Sequence, residues 1–100
     1  MVSRKAEPGA AKSASREVKV TNKLGVHARP AAMFVKVANR FESDIIVSKD
    51  GEEVNGKSIM GLMMLAAGQD AKLILIAKGR DAQTAVNELA ALFQRKFDEE

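Results

Sequence analysis

The chain carries a single histidine, in the run Lys23-Leu24-Gly25-Val26-His27-Ala28-Arg29-Pro30-Ala31. A neutral imidazole is a nucleophile near neutral pH. Pro30 has no N–H, and its fixed φ suits the first turn of a helix, so His27 stands at a helix entrance. The unpaired N–H groups of such an entrance carry partial positive charge and suit a bound anion. If His27 accepts a phosphoryl group, the amides of Ala28 and Arg29 and the Arg29 guanidinium are placed to stabilise the new charge. The plainer reading makes His27 a polar loop residue and leaves Arg29 solvated.

A second run, Gly51-Glu52-Glu53-Val54-Asn55-Gly56-Lys57-Ser58, fits the phosphate-loop pattern G-x-x-x-x-G-K-[ST] letter for letter. Nucleotide binding is nevertheless rejected. Glu52 and Glu53 would put two carboxylates inside the phosphate cradle, where like charges repel. Val54 reads as part of a hairpin strand rather than a wrapped loop. The later apolar strand is followed by Lys78, so no acid is placed to hold magnesium.

These residues need elements to position them. Glu17–Asn22 alternates polar residues with Val18 and Val20, as a half-buried strand does. Ala31, Phe34, Val35 and Ala38 recur at helical spacing, which predicts an amphipathic helix over 28–40. A short strand, 45–48, precedes a hairpin turn, Lys49-Asp50-Gly51-Glu52, and a returning strand, 53–55. Ser58 opens a short helix that ends at Gly68. The apolar run Leu73-Ile74-Leu75-Ile76-Ala77, within 72–78, suits a strand inside the sheet. Asp81 caps a last helix, with Ala82, Ala85, Val86, Leu89, Leu92 and Phe93 on one face. The order is β-α-β-β-α-β-α. It predicts an α+β fold, a two-layer open-faced sandwich with a four-stranded antiparallel sheet and three helices on one face.

Composition narrows the function classes. The 100 residues suffice for one domain, with 29% charged and 46% hydrophobic residues. The formal net charge of +3 sits in residues 1–16, which hold Arg4, Lys5, Lys12 and Arg16 against Glu7. Residues 1–15 are therefore expected to be a disordered basic tail, and 16–100 the folded domain. Residues 17–100 are themselves neutral, which argues against nucleic acid as a partner. Absence of cysteine excludes disulfides, thiolate metal sites and Cys nucleophiles, and one histidine excludes paired-His metal motifs. No apolar run reaches a membrane span, and the start lacks a signal-peptide stretch, so a cytoplasmic protein is expected.

The segment Lys23–Ala31 resembles the active-site signature of HPr, the histidine phosphocarrier family of bacterial phosphotransferase systems. Asn55-Gly56-Lys57-Ser58-Ile59-Met60-Gly61-Leu62 resembles the same family's serine-phosphorylation signature, at the separation the family shows. The resemblance runs from about Glu17 to Phe97. It implies that His27 accepts a phosphoryl group, usually on Nδ1, from enzyme I charged by phosphoenolpyruvate. The acceptor it implies is the A domain of an enzyme II, and Arg29 stabilises the phosphohistidine. Such proteins are carriers, monomeric, and need neither cofactor nor metal. The resemblance further makes Ser58 a candidate regulatory site for an HPr kinase/phosphorylase, although Ser is also a common helix N-cap.

Helical geometry adds a candidate docking surface. At 100° per residue, Ile59, Met60 and Met63 share one face of the short helix, and Leu62 and Leu65 another. Leu62 and Leu65 are assigned to the core and the other three to the surface, where Met adapts to several partners. Ala28, Ala32 and Lys36, on the neighbouring part of the first helix, look like the family's other contact positions. The retained His27 argues against regulatory paralogues that lack it. Val54-Asn55-Gly56-Lys57-Ser58 together with the ending Phe97-Asp98-Glu99-Glu100 looks somewhat like the nitrogen-branch relatives, and the choice between sugar and nitrogen branches stays open. The alternative function is a regulatory binding module, in which Ser58 phosphorylation switches binding to a transcriptional regulator. A small RNA-binding domain using the basic tail has little support from the aromatic-poor body.

Overall fold

The computed structural model describes residues 12–99. Four strands, β1 (Ser13–Lys19), β2 (Asp44–Lys49), β3 (Glu52–Asn55) and β4 (Lys72–Lys78), form one antiparallel sheet in the order β1-β4-β2-β3. The helices are α1 (Ala28–Ala38), α2 (Ile59–Met64) and α3 (Ala82–Gln94). All three cover one face of the sheet, giving the open-faced sandwich expected from the element order. The core fills the gap between the layers. Val18, Ile45, Val47, Leu73, Leu75 and Ala77 come from the sheet, and Phe34, Val86, Leu89 and Phe93 from the helices.

The apolar run of β4 lies at the centre of the sheet, as its composition requires. Only one of its faces is covered, however. Leu73, Leu75 and Ala77 are buried, whereas Ile74 is 45% exposed. The hairpin between β2 and β3 closes through Asp50 (φ 52°) and Gly51 (φ 87°), with Lys49 paired to Glu52. Two successive positive φ values match the right-handed twist of the flanking strands. The phosphate-loop look-alike is thus a turn and a strand. Its amides from Glu52 to Asn55 belong to the sheet and are not wrapped around an anion.

Three expectations are corrected. First, β1 begins at Ser13, inside the segment expected to be a disordered tail, and its ladder ends at Lys19, before the expected Asn22. The cause is β4: seven residues of β1 pair with all seven of β4, from Ser13 opposite Lys78 to Lys19 opposite Lys72. Residues 1–11, the rest of the expected tail, lie outside the described residues. Second, α2 does not run to Gly68. It ends at Met64, with Leu65 as cap and Ala66 at φ 53°. Third, the Asp81 side chain makes no capping bond to α3. Its carboxylate accepts from the backbone N–H groups of Glu42 and Ser43, at 2.9 and 3.0 Å, and from the Ser43 hydroxyl. A tether across 38 residues replaces the local cap. These bonds, led by the Ser43 hydroxyl, hold the Asp81 carboxyl below the usual carboxylate range.

After α3 the chain makes one more turn, Lys96–Asp98, in which all three residues have positive φ (56°, 53° and 62°). For residues with a Cβ this costs roughly 1–2 kcal/mol each. Burial of Phe97, completely enclosed and edge-on to Phe93 at 4.8 Å, offsets that cost. Phe93 in turn meets Phe34 edge-on at 6.1 Å, so the turn is tied to α1 through α3.

Two stability measurements follow from this packing. Phe97→Ala is expected to lower the unfolding free energy by about 3–5 kcal/mol, read from the urea midpoint. Asp81, with its folded pKa depressed, contributes stability that is complete above the unfolded carboxyl pKa. That contribution is lost as the pH falls through the folded value. Asp81→Asn should therefore be less stable than the parent at neutral pH and show a shallower loss of stability in acid.

Candidate functional site

His27 is the residue before α1, with extended backbone (φ −86°, ψ −167°), and its carbonyl accepts the first helical bond from Ala31 N–H. The loop that delivers it is fixed at two points. Val26 N–H donates to the Ala67 carbonyl at 2.9 Å. The Gly25 carbonyl accepts from Asn22 Nδ2 at 2.7 Å. Gly25 sits at φ 71°, and a Cβ there would run into the Ala67 carbonyl and Gly68. Its spacing before His27 thus has a steric reason: the loop crosses the exit of α2 too closely for a side chain.

The imidazole is partly open, with 36% of its side chain exposed. Its Nε2 lies 3.0 Å from Glu99 Oε2. Arg29 Nη1 donates to the same oxygen at 2.9 Å. Glu99 Oε1 accepts from Asn22 Nδ2 at 2.9 Å. Asn22 is buried, so this carboxylate is held from below by an amide and from above by two cationic or polarisable donors. The bond from Asn22 is the largest influence lowering the Glu99 pKa; His27 and Arg29 add to it and partial burial opposes it.

The structure brings His27 and Arg29 together, through Glu99. Neither Glu99 nor Asn22 was picked out as a site residue by spacing. Asn22 lies five residues before His27 and Glu99 seventy-two after it. Glu99 stands in the acidic ending of the chain, but no local pattern links it to the histidine. Among the described residues no group of three or more His, Asp or Glu could hold a metal ion.

Ser58 stands 31 positions on, before α2, half-buried. Its Oγ accepts from Gly61 N–H at 3.0 Å, so the N-cap role is present. Beside it, Lys57 Nζ is spent on the Phe41 carbonyl at 2.8 Å. On α2 itself Leu62 and Leu65 are buried and Ile59, Met60 and Met63 are exposed. Met64 and Leu24, which the face assignment did not include, are also open, at 70% and 72%. Ala28, Ala32 and Lys36 are exposed along α1. A shallow hollow joins the two regions, lined by Leu24, Val26, His27, Met63, Ala66 and Ala67. The histidine thus opens onto an apolar surface, and not into an enclosed substrate cavity.

This open-faced sandwich is the fold of a class of small phosphocarrier proteins. Residues 14–95 match the family model described as PTS HPr component phosphorylation site. The chain is 52% identical over 81 residues to the HPr-like protein Crh of Bacillus subtilis, covering 81% of this chain and 95% of that protein. It is 48% identical over 85 residues to the phosphocarrier protein HPr of Treponema pallidum, covering 85% and 97%. The crystal structure of HPr-C-His from Thermoanaerobacter tengcongensis superposes with a TM-score of 0.84 at 45% identity, over 87% of this chain and 98% of that one. The chain belongs to the HPr family of bacterial phosphotransferase-system phosphocarriers. Its general role is therefore that of a phosphoryl carrier and not a stand-alone enzyme.

Gly25→Ala tests the loop geometry. The substitution forces a side chain into positive φ and against the Ala67 carbonyl, so a loss of more than about 1 kcal/mol is expected in urea unfolding. Amide chemical shifts should move at Val26, His27 and Ala67 together.

Proposed function

We propose that His27 is the residue that takes up and passes on the phosphoryl group. One observation carries this: its imidazole is open to solvent at the entrance of α1, beside Arg29, with one ring nitrogen bonded to a carboxylate. Enzyme I, charged by phosphoenolpyruvate, is the donor, and the A domain of an enzyme II is the acceptor. Both must reach the same imidazole, which is consistent with its partial exposure in a shallow, open hollow. Ala28 and Arg29 supply the helix-entrance amides, and Arg29 its guanidinium, to the transferred group. Arg29 is 59% exposed and, among the described residues, pairs with Glu99 alone, which holds its guanidinium beside the ring where a phosphate would form.

The docking surface in this reading comprises Ala28, Ala32 and Lys36 of α1 with Ile59, Met60 and Met63 of α2. Partner binding there would bury flexible, polarisable side chains that adapt to more than one shape. The protein acts as a monomer in the cytoplasm. Among the described residues no helix is long and apolar enough to cross a membrane.

Ser58 is the regulatory site in a second reading, which the identity to proteins called Crh favours. The solution structure of Crh, the Bacillus subtilis catabolite repression HPr, is 51% identical to this chain. Here an HPr kinase/phosphorylase would modify Ser58, and the modified chain would bind a transcriptional regulator. A phosphorylated Ser58 still offers an oxygen to Gly61 N–H, so α2 need not unfold. The added charge would instead repel acidic partner surfaces.

Intact mass after incubation with enzyme I, magnesium and phosphoenolpyruvate separates the readings. The carrier gains one acid-labile phosphoryl group, and His27→Ala gains none. A folded parent that stays uncharged while a known HPr is charged in parallel would leave only the regulatory reading. Met63→Asp should slow transfer at least several-fold while leaving the unfolding free energy within about 0.5 kcal/mol of the parent's, as for an exposed site. Unchanged transfer kinetics would remove α2 from the docking surface.

A further inference from the structure

Glu99 has no role in the function described so far, yet its carboxylate is the most constrained group at the site. Three donors converge on it, from Asn22, His27 and Arg29. Its side chain is only 16% exposed. The chain reaches this position through three successive left-handed residues, Lys96, Phe97 and Asp98, with Phe97 anchored in the core. The Arg95 side chain further clasps Asp98 at 3.1 Å.

The consequence lies in the proton count. A neutral imidazole has one N–H and one lone pair, and a carboxylate has only lone pairs. Across the 3.0 Å contact, Nε2 must therefore be the donor to Glu99 Oε2. The lone pair is left on Nδ1, which has no hydrogen-bond partner among the described residues. We propose that Glu99 is a positioning residue for phosphoryl transfer: it holds His27 in the Nε2–H tautomer that presents Nδ1, and it balances the charge that forms on the ring.

This inference rests on His27 as the carrier residue. In the transfer step the Nδ1 lone pair forms the new N–P bond. The donor's bond to phosphorus breaks, and its electron pair stays with the donor. No proton leaves the ring, so Nε2–H is retained and the imidazole becomes a phosphorylated imidazolium. That positive charge forms opposite the Glu99 carboxylate, the arrangement by which a buried acid supports a catalytic histidine. In the reverse sense, transfer onward returns the N–P bonding pair to Nδ1 and the ring to the same neutral tautomer. Arg29, which shares Oε2, is held beside the ring without competing for Nδ1.

The test uses the full-length protein and the variants Glu99→Ala and Glu99→Gln. Nitrogen-15 shifts of the neutral ring report the tautomer directly. The parent should be mainly Nε2–H, Glu99→Ala should shift toward a mixture, and Glu99→Gln, which still offers an oxygen, should keep the parent tautomer. With phosphorylated enzyme I as donor, Glu99→Ala should lose on the order of tenfold in kcat with KM little changed. Glu99→Gln should fall between, because it restores the tautomer but not the charge. If the tautomer ratio and kcat of Glu99→Ala both equal the parent's, the proposal is wrong. If Glu99→Gln matches Glu99→Ala in tautomer, the carboxylate is not acting as an acceptor, and the proposal is equally wrong. A parent that is charged elsewhere than His27 would instead sink the carrier residue itself, an outcome visible in the His27→Ala control.

Discussion

The hydrogen bond from Val26 N–H to the Ala67 carbonyl joins the histidine loop to the exit of α2. To make it, the chain must leave the helical path after Met64, so α2 is short and Ala66 takes a positive φ. The loop must also pass flat against residues 67 and 68, which only Gly25 allows. The exposed methionines of α2 and the histidine of α1 thereby become neighbours, although they are more than thirty positions apart in the chain. A single backbone contact links the chemistry to the surface beside it.

Local and periodic signals carry most of the fold in this sequence. The element order, the alternation around Val18, the helical stripe from Ala82 to Phe93 and the Asp50-Gly51 turn all depend on neighbours within a few positions. Each appears in the fold. The two motifs around His27 and Ser58 were legible for the same reason. Such signals fail where partners are distant. Asp81 looked like a local cap because Asp is favoured there, but the backbone amides of Glu42 and Ser43 compete for its oxygens and win. Ser13–Ser15 have poor intrinsic strand character and are ordered by pairing with the far end of β4. Gly68 looked like a helix terminus because glycine usually is one, and the Ala67 carbonyl was required elsewhere.

Asn22 and Glu99 were invisible for a further physical reason. Their significance depends on the turn at Lys96–Asp98, and a left-handed run of three ordinary residues has no sequence signature. Propensity disfavours it at every position. It exists because Phe97 fills the space beside Phe93 and leaves Glu99, two residues on, facing the histidine loop. Tertiary packing thus decides the backbone there, and the backbone decides which carboxylate reaches His27. The buried Asn22 shows what this geometry costs, since its Oδ1 finds no partner among the described residues while its Nδ2 serves both Gly25 and Glu99.

A carrier differs from an enzyme in what its site should avoid. If the phosphorylated form were held too tightly, passing the group to an acceptor would be uphill, and if held too weakly, it would not be taken up. Two opposed contributions stand side by side around His27. The helix entrance and Arg29 favour a bound anion. Glu99 places a fixed negative charge within hydrogen-bond distance of both His27 and Arg29, which opposes the accumulation of more. Partial exposure screens all of these, so none dominates by many kcal/mol. With His27 as the proposed carrier residue, the carboxylate that would support a positive ring would also limit how much phosphate charge the site holds. A site balanced in this way leaves the direction of transfer to the relative affinity of donor and acceptor, and that is the property a reversible carrier needs.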